Sequence, residues 1–200
     1  MLVQRNDVGP IVARDARIAE SARIVGNVLI GEGCVVGHGA VIESSGPEVR
    51  LDAGVVVLPG AVVRSVGGAH RPAFPMRIGA ESLIGPLVSL TGCVIEAACY
   101  AATGAMVFQG AVVGEGSRLG AGSIVHVSTL LPPGSHVGTH HHAVPDGDQV
   151  LITADAAEAS RMADLDSQAL DDGHNDLAAL NRRSSAILRA EASDWTDRAL

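Results

Sequence analysis

Aromatic residues are scarce in this sequence. Phenylalanine, tyrosine and tryptophan together make up 2 % of its 200 residues. Aromatic rings ordinarily fill much of the space between the layers of a globular core. Their scarcity, together with 24 glycines and many alanines and valines, argues against an ordinary layered core. It indicates an interior built from stacked small aliphatic side chains.

Positive charge and long apolar runs are scarce as well. All 14 basic residues are arginines, 22 residues are acidic, and the formal net charge is −8. Nucleic-acid binding needs a basic face, so we expect no nucleic-acid partner. No segment has the roughly 18 consecutive apolar residues of a transmembrane helix, and the N-terminus lacks the pattern of a secretory signal. We therefore expect no membrane association.

Cysteine is limited to Cys34, Cys93 and Cys99, an odd number without C-x-x-C spacing. This usage is typical of a reduced, cytoplasmic protein. Cys93 and Cys99 stand at or near places where the sequence otherwise uses small residues. Because buried thiols behave as small hydrophobes, we do not expect a cysteine nucleophile.

A six-residue repeat runs through most of the sequence. An aliphatic residue recurs at every sixth position, a small residue usually follows four places later, and glycine is frequent one place later. The repeat is interrupted twice and takes one five-residue step. The aliphatic positions are Val12, Ile18, Ile24, Ile30, Val36, Ile42, Leu51, Val57, Val63, Ile78, Ile84, Leu90, Ile95, Ala101, Val107, Val113, Leu119, Val125, Leu131 and Val137.

The repeat predicts an all-β fold, a left-handed parallel β-helix. Three hexapeptides form one triangular coil of about 18 residues, in which the aliphatic residue points inward and the small residue lets the corner close. Successive coils stack as parallel strands about 4.8 Å apart, and no coil is stable alone. We expect the glycine that follows the aliphatic residue to provide a positive φ at the turn. A β-sandwich would instead alternate with period two.

The repeat defines the domain organisation. We predict the β-helix over residues 1–150, with excursion loops at 43–49 and 64–77, where a solenoid tends to carry its function. Residues 151–200 have helical spacing of apolar residues, in two stretches separated by Asp172–Gly173. We predict a C-terminal α-helical segment there, packed along the prism or on a neighbouring subunit.

The stretch from Met76 to Gly110 resembles the γ-class carbonic anhydrase family. That family typically has I-G-x-x-x-x-V-G-H-x-x-x-L-H-G-C-x-I, followed by G-M-G-A and D-G-A-x-V. The frame is kept here, including the five-residue step, and the resemblance extends over about residues 10–145. The matching positions are Ile78-Gly79, Ile84-Gly85, Leu90, Gly92-Cys93, Ile95, Gly104-Ala105 and Gly110-Ala111.

The resemblance implies a homotrimer with sites in the clefts between subunits. In the family, three histidines hold zinc there, two from one subunit and one from its neighbour. Those histidines correspond to Arg64, Pro86 and Thr91 in this sequence. Proline has no donor atom, and a guanidinium stays protonated and cannot ligate. We therefore expect the family's zinc to be absent, and no other cofactor in its place.

One edge of the predicted prism carries a column of outward side chains, each directly after an inward aliphatic residue. We hypothesise that the Arg64 guanidinium replaces the metal charge and binds a carboxylate or a phosphate. Thr91 would add a hydroxyl, and Glu43 would act as general base. The alternative is a plain salt bridge between Glu43 and Arg64. The column consists of Glu43, Arg64, Thr91, Phe108 and His126.

Two further residues are candidates for this site. His70, in the second excursion, is a candidate acid–base residue, ligand or loop anchor, because that loop borders the cleft in relatives. Tyr100 is a candidate for substrate binding together with Phe108 and His126. For Tyr100 and Phe108, the alternative is that they pack against the C-terminal helices.

The run His140–His142 raises the alternative of a relocated metal site. In an extended chain His140 and His142 share a face, and with His70 or His126 they would supply enough imidazoles for a metal ion. The competing interpretation is an exposed loop that binds metal adventitiously.

Several functions remain open from the sequence. The first is an enzyme that acts on a small anionic metabolite in the cleft of a homotrimer, without metal or with a relocated one. Another possibility is an acyltransferase, as in other hexapeptide proteins. This sequence, however, lacks the run of basic residues expected to bind the nucleotide phosphates of coenzyme A. The second is a non-catalytic binding or assembly subunit. A carbonic anhydrase with a rebuilt metal site ranks last.

Overall fold

The computed structural model describes residues 1–68, 71–168 and 198–199. It is a left-handed β-helix of about eight turns, which confirms the predicted fold class. Corresponding strands of successive coils pair in parallel and build three sheets. These sheets are the three faces of a triangular prism.

Short strands of two or three residues make up most of each face. The first face contains Leu2–Gln4, Arg23–Val25, Val41–Glu43, Val62–Arg64, Ser89–Thr91, Met106–Val107, Ile124–Val125 and His142–Asp146. The second face contains Ile11–Val12, Val28–Ile30, Val49–Leu51, Met76–Ile78, Val94–Ile95, Val112–Val113 and Leu130–Leu131. The third face contains Arg17–Ile18, Val35–Val36, Val56–Val57, Leu83–Ile84, Tyr100–Ala101, Arg118–Leu119 and His136–Val137.

The predicted inward positions form the core. From Ile24 to Val137 each of them is buried, with no side chain more than 4 % exposed. Val12 and Ile18 are only partly buried, because they belong to the first coils, at the end of the stack. Small residues such as Ala40, Ala61 and Ala105 fill the predicted corner positions and are fully buried. The period of six therefore identifies the interior directly.

The expectation of a positive φ at the glycine after each inward aliphatic residue is wrong. The glycine that follows the inward aliphatic residue does not have a positive φ; it is required because a side chain would strike the next coil. A Cβ on Gly79 would lie 2.5 Å from the backbone nitrogen of Ala97, and one on Gly114 would lie 2.4 Å from that of Pro133. Positive φ occurs two places further on, as at Gly104 with φ of 68° and Gly116 with φ of 68°.

The two excursions are joined to each other. Ser65 is fully buried, and its hydroxyl donates to the Pro47 carbonyl at 2.6 Å and accepts from the Ser45 amide at 3.2 Å. The second excursion continues as an antiparallel hairpin of Val66–Gly68 and Arg71–Phe74. The first excursion therefore supports the base of the second.

An ion-pair cluster lies where both excursions return to the second face. The Asp52 carboxylate accepts hydrogen bonds from Arg50 Nε at 2.9 Å and from Arg77 Nη2 at 2.9 Å. Arg50 and Arg77 are direct neighbours in adjacent coils. One carboxylate thus holds together the two strands that follow the loops.

The last coil is closed by a hairpin and a helix. The strand Gln149–Thr153 pairs antiparallel with His142–Asp146, and the helix Ala156–Gln168 follows. The Asp155 carboxylate caps the helix by accepting from the Ala157 amide at 2.9 Å, as an N-cap residue does. The helical segment therefore starts five residues after the boundary at 151, because residues 149–153 extend the first face. The second predicted helical stretch lies outside the described residues.

Two further observations complete the fold. Arg198–Ala199 pairs antiparallel with Leu2–Gln4 at the other end of the first face. Among the described residues, no helix is both long and apolar enough to span a membrane.

Candidate functional site

The first face places the predicted column side by side. Arg64 is the direct ladder partner of Glu43 in the coil before and of Thr91 in the coil after. Because Val63 and Leu90 point into the core and side chains alternate along a strand, Arg64 and Thr91 point outward. Three of the five predicted residues therefore stand in consecutive coils.

Phe108 and His126 continue the column. Leu90, Val107 and Val125 are ladder partners in successive coils, so the residues that follow them are neighbours as well. The rings of Phe108 and His126 have centroids 6.3 Å apart, and the Phe108 side chain is 37 % exposed. The column runs as the sequence predicts, from a charged end at Glu43 to an aromatic end at His126.

The cation that pairs with Glu43 is Arg5. Arg5 Nη1 lies 3.8 Å from Glu43 Oε1 and donates to the Ser44 carbonyl at 2.9 Å. The alternative of a Glu43–Arg64 salt bridge is not realised among the described residues. Sequence reasoning missed Arg5 because it precedes the first hexapeptide at Val12, so the repeat assigns it to no face.

Arg64 is consequently left with an exposed charge. Its side chain is exposed, and within residues 1–68, 71–168 and 198–199 it forms no hydrogen bond or ion pair. Thr91 beside it is partly buried. A guanidinium next to a hydroxyl is a suitable pair of donors for a carboxylate or phosphate.

The hairpin of the second excursion lies close to this position. Its Phe74 packs over the corner glycines of two coils: a Cβ on Gly92 would lie 2.6 Å from the Phe74 Cβ, and one on Gly110 would lie 3.4 Å from the ring. Gly92 directly follows Thr91, so the hairpin stands beside the Arg64–Thr91 pair. His70 lies outside the described residues.

Tyr100 is on a different face of the prism. It belongs to the third face, between Leu83 and Arg118, and the Arg118 guanidinium carbon lies 5.7 Å from its ring centroid. Pro86 is a turn residue at the corner between the third-face strand Leu83–Ile84 and the first-face strand Ser89–Thr91. One chain alone therefore does not bring Tyr100 to Arg64.

The histidines meet in an arrangement that differs from the expected one. His126 Nε2 lies 3.1 Å from His142 Nδ1. Burial, and then the charge of His142, lower the pKa of His126 below its ordinary value. His140 is instead an exposed corner residue with a positive φ of 54°, and this turn breaks the extended alternation on which a shared face with His142 depended.

Larger clusters of ligating side chains are not seen in the described part of the chain, where no group of three or more His, Cys, Asp or Glu residues is placed to hold a metal ion. The pairing of His126 with His142 was not evident from spacing, because the two are diagonal neighbours rather than ladder partners. His142 is paired with Ile124.

The cysteines are embedded in the core. Cys34, Cys93 and Cys99 are all buried as free thiols. Burial raises the pKa of the Cys93 thiol to about 12, and it raises the pKa values of Cys34 and Cys99 as well. A reactive cysteine needs a depressed pKa and access, so none of the three suits a nucleophile.

Comparison with solved structures places the fold among hexapeptide proteins. A presumed acetyltransferase of Bacillus cereus has a TM-score of 0.61 and 23 % identity, covering 84 % of this chain and 91 % of that one. A hexapeptide transferase family protein of Anaplasma phagocytophilum has a TM-score of 0.53 and 23 % identity, covering 84 % and 93 %. These identities show the fold alone. No family model matches the chain.

Comparison with characterised sequences is more specific. The chain is 30 % identical over 162 residues to γ carbonic anhydrase 1 of Arabidopsis thaliana mitochondria, covering 78 % of this chain and 59 % of that protein. It is 27 % identical over 129 residues to γ carbonic anhydrase 2 of the same plant, covering 64 % and 46 %. The chain therefore spans about half the length of these relatives.

The β-helix and its repeat define the class: this is a left-handed β-helix protein built from hexapeptide repeats. The two plant relatives described above give a more specific comparison. Within that class, the chain is similar in sequence to the γ carbonic anhydrases.

Proposed function

We propose that the protein is a homotrimer that binds a small anionic metabolite, a carboxylate or a phosphate, in the cleft between subunits. Arg64 is the proposed anion-binding residue. The observation that carries the proposal is the exposed Arg64 guanidinium beside Thr91, without an ion-pair partner among the described residues, at the position of a zinc-binding histidine in the family. The ion pair between Arg5 and Glu43 supports the proposal, because it neutralises the Glu43 carboxylate beside Arg64.

The residues at the family's zinc positions do not suit a zinc ion. Arg64, Pro86 and Thr91 offer a guanidinium, a proline ring and a hydroxyl, whereas such a site needs neutral imidazole, thiolate or carboxylate donors. Arg64 would bring its own positive charge to the place of the metal. These three side chains therefore do not support zinc chemistry at this position.

The remaining candidates have defined roles in the proposal. Thr91 donates its hydroxyl to the anion, Phe108 and His126 form the less polar end of the site, and Glu43 is the proposed general base. Tyr100 is contributed by a neighbouring subunit, since its own face points away from Arg64. His70 is proposed as an acid–base residue from the second excursion.

The cytoplasm is the proposed location. Three buried free thiols suit a reducing compartment. The plant relatives are mitochondrial, so localisation of the tagged full-length protein in its own cells is the direct test.

A thermal-shift experiment tests the anion site. Bicarbonate, acetate, oxalate and inorganic phosphate are added separately to untagged protein, each against chloride at equal ionic strength. Specific binding stabilises the folded state, and we expect at least one anion to raise the midpoint by a few degrees. Arg64→Ala should abolish that shift. Arg64→Lys should reduce it, because an ammonium lacks the planar fork of a guanidinium.

Arg14→Ala is the matched control, since Arg14 is an exposed arginine of the first coils. It should keep the full shift. Loss of the shift in Arg14→Ala, or its retention in Arg64→Ala, would contradict the proposal. Absence of a shift with every anion favours the non-catalytic assembly subunit. A shift with acetyl-coenzyme A that survives Arg64→Ala favours an acyltransferase.

A further inference from the structure

The two phenylalanines of the chain lie together beside the proposed anion site. The sequence contains Phe74 and Phe108 and no other phenylalanine. Phe108 is the neighbour of Thr91 in the next coil of the first face, and Phe74 lies over Gly92, the residue after Thr91. In a sequence with so few aromatic rings, both phenylalanines therefore border the site at Arg64.

Phe108 has an open side on the surface of the chain. Its side chain is 37 % exposed, and it packs against the His126 ring with the planes inclined by 37°. Burial, and then the charge of His142, lower the pKa of His126, so this neighbouring ring is uncharged near pH 7. An exposed apolar ring next to an uncharged ring is a surface on which a further ring can pack.

The hairpin of the second excursion supplies the other ring. A Cβ on Gly92 would lie 2.6 Å from the Phe74 Cβ and 3.0 Å from Val66 Cγ2, so only glycine leaves room for the hairpin there. A Cβ on Gly110 would lie 3.4 Å from the Phe74 ring. The ring therefore extends along the corner from one coil to the next, alongside Phe108. Close packing of this kind fixes the position of a ring for binding.

The spacing along the column fits a small molecule with one charged and one apolar end. Arg64, Thr91 and Phe108 stand in three successive coils, about 4.8 Å apart. An anion held between Arg64 and Thr91 is then roughly 7 Å from the level of Phe108. A ring joined to that anion directly or through one carbon reaches the range of about 4.5–7 Å in which aromatic centroids pair.

A carboxylate suits this position better than a phosphate. Arg64 offers one positive charge, and the fork of its guanidinium matches the two oxygens of a carboxylate. A phosphate monoester carries about −1.5 to −2 charges at pH 7, and the chain itself has a net charge of −8. Repulsion therefore favours the singly charged ligand.

We propose that the Arg64 site binds a small aromatic carboxylate, an aryl or arylalkyl acid. Arg64 and Thr91 hold the carboxylate. The ring lies against Phe108, with Phe74 at its side. A mainly apolar lining with a few placed polar groups is typical of small-molecule sites. The assignment rests on the proposed function, since it needs the anion site, and it specifies the body to which the anion is attached.

Isothermal titration of untagged full-length protein with matched ligands tests the assignment. Benzoate and phenylacetate should bind at least about tenfold more tightly than acetate, because they bury a ring. Benzoate should also bind about threefold or more tightly than cyclohexanecarboxylate, which is apolar but not aromatic. Phe108→Leu keeps an apolar side chain and removes the ring, so it should lower this last preference to less than about twofold and leave acetate binding unchanged.

Leu130→Ala is the matched control. It truncates a side chain that is 63 % exposed on the second face, away from the column. The variant should keep the full preference for benzoate over cyclohexanecarboxylate. A preference that is lost in Leu130→Ala, or unchanged in Phe108→Leu, would overturn the assignment.

Titration of Arg64→Ala separates this assignment from the proposed function. Equal affinities of the wild type for acetate and benzoate, both lost in Arg64→Ala, would keep the anion site and overturn the aromatic ligand alone. The exposed rings would then belong to packing between subunits. If no anion binds in a manner that depends on Arg64, the assignment fails together with the proposed function.

Nuclear Overhauser effects on the wild-type protein give a readout that does not depend on whether the variants fold. Because the chain has two phenylalanines, protein labelled only at phenylalanine with ¹³C shows two sets of ring signals. We expect contacts between the ring protons of phenylacetate and the Phe108 ring. Contacts with neither phenylalanine ring at saturating phenylacetate would contradict the site.

Discussion

Glycine has two separate purposes in this chain at the scale of single residues. Directly after an inward aliphatic residue it leaves room for the backbone of the next coil, as at Gly79 and Gly114. Two places later it adopts a positive φ in open space, as at Gly104 and Gly116. The first position excludes any Cβ, whereas the second tolerates residues that accept the left-handed region.

Substituting one glycine at each of the two positions should separate the steric effect from the conformational effect. Gly114→Ala forces a Cβ to 2.4 Å from the Pro133 backbone nitrogen and should cost about 2–3 kcal/mol. Gly104→Asn, where no atom lies within 4 Å, should cost less than about 1 kcal/mol. Calorimetric melting of both variants at equal concentration checks this, and equal losses would contradict the assignment.

The thiols provide a second prediction at this scale. Because Cys34, Cys93 and Cys99 are buried and burial raises their pKa values, they should resist thiol-specific reagents in the native protein. We expect almost no reaction with Ellman's reagent at pH 8 and full reaction of all three in guanidinium chloride. A native thiol that reacts within seconds would be inconsistent with the buried positions.

The stacking of strands explains how the loops are held at the scale of elements. The strands Val49–Leu51 and Met76–Ile78 follow the two excursions, and Asp52 links them through Arg50 and Arg77. Burial opposes ionisation of the Asp52 carboxyl, but hydrogen bonds from both arginines outweigh it, so its pKa is lowered. The charged carboxylate therefore stabilises the folded state.

Asp52→Asn should reduce stability in a pH-dependent way. A lowered pKa contributes stability above the unfolded value of about 3.9, and this is lost as the pH falls through the folded value. The two arginine side chains are about half exposed, so we expect a loss of about 1 kcal/mol at pH 7. Urea unfolding at pH 7 and at pH 3 measures it.

The stability deficit of the variant should become smaller as the pH falls from 7 to 3. Glu20→Gln serves as control, because Glu20 is an exposed carboxylate of the first coils, and it should match the wild type at both pH values. A deficit of Asp52→Asn that is as large at pH 3 as at pH 7 would assign the effect to packing rather than charge.

Periodicity explains which elements could be predicted. The six-residue pattern determines which residues face inward, so the three faces and the column from Glu43 to His126 follow from it. Contacts from outside the repeat, such as Arg5 with Glu43, do not. Diagonal contacts such as His126 with His142 depend on side-chain rotamers, which spacing does not specify. The positive φ expected at the glycine after each inward aliphatic residue was wrong for a related reason. Sequence alone does not show whether a position needs glycine for its lack of a side chain or for its backbone conformation.

Assembly connects these elements at the scale of the whole molecule. Arg64 lies on the first face and Tyr100 on the third, so a single prism separates residues that the proposal assigns to one site. A trimer, as is typical of proteins with this fold, would bring a first face of one subunit against another face of its neighbour. The proposed cleft therefore exists only in the assembled protein.

The mass of the assembly is the corresponding prediction. Light scattering after size-exclusion chromatography should give three times the 20.3 kDa of the chain, independent of concentration over the micromolar range. A stable monomer at every concentration would remove the intersubunit cleft and, with it, the assigned role of Tyr100.

The most direct test of the account is an anomalous diffraction map of the assembled protein in crystals soaked with selenate. We predict a selenium peak within hydrogen-bond distance of the Arg64 guanidinium and the Thr91 hydroxyl, with the Tyr100 ring of a neighbouring subunit beside it, and no peak at Arg14. An Arg64 side chain ion-paired to a carboxylate of a neighbouring subunit, without selenium density, would contradict the central claim.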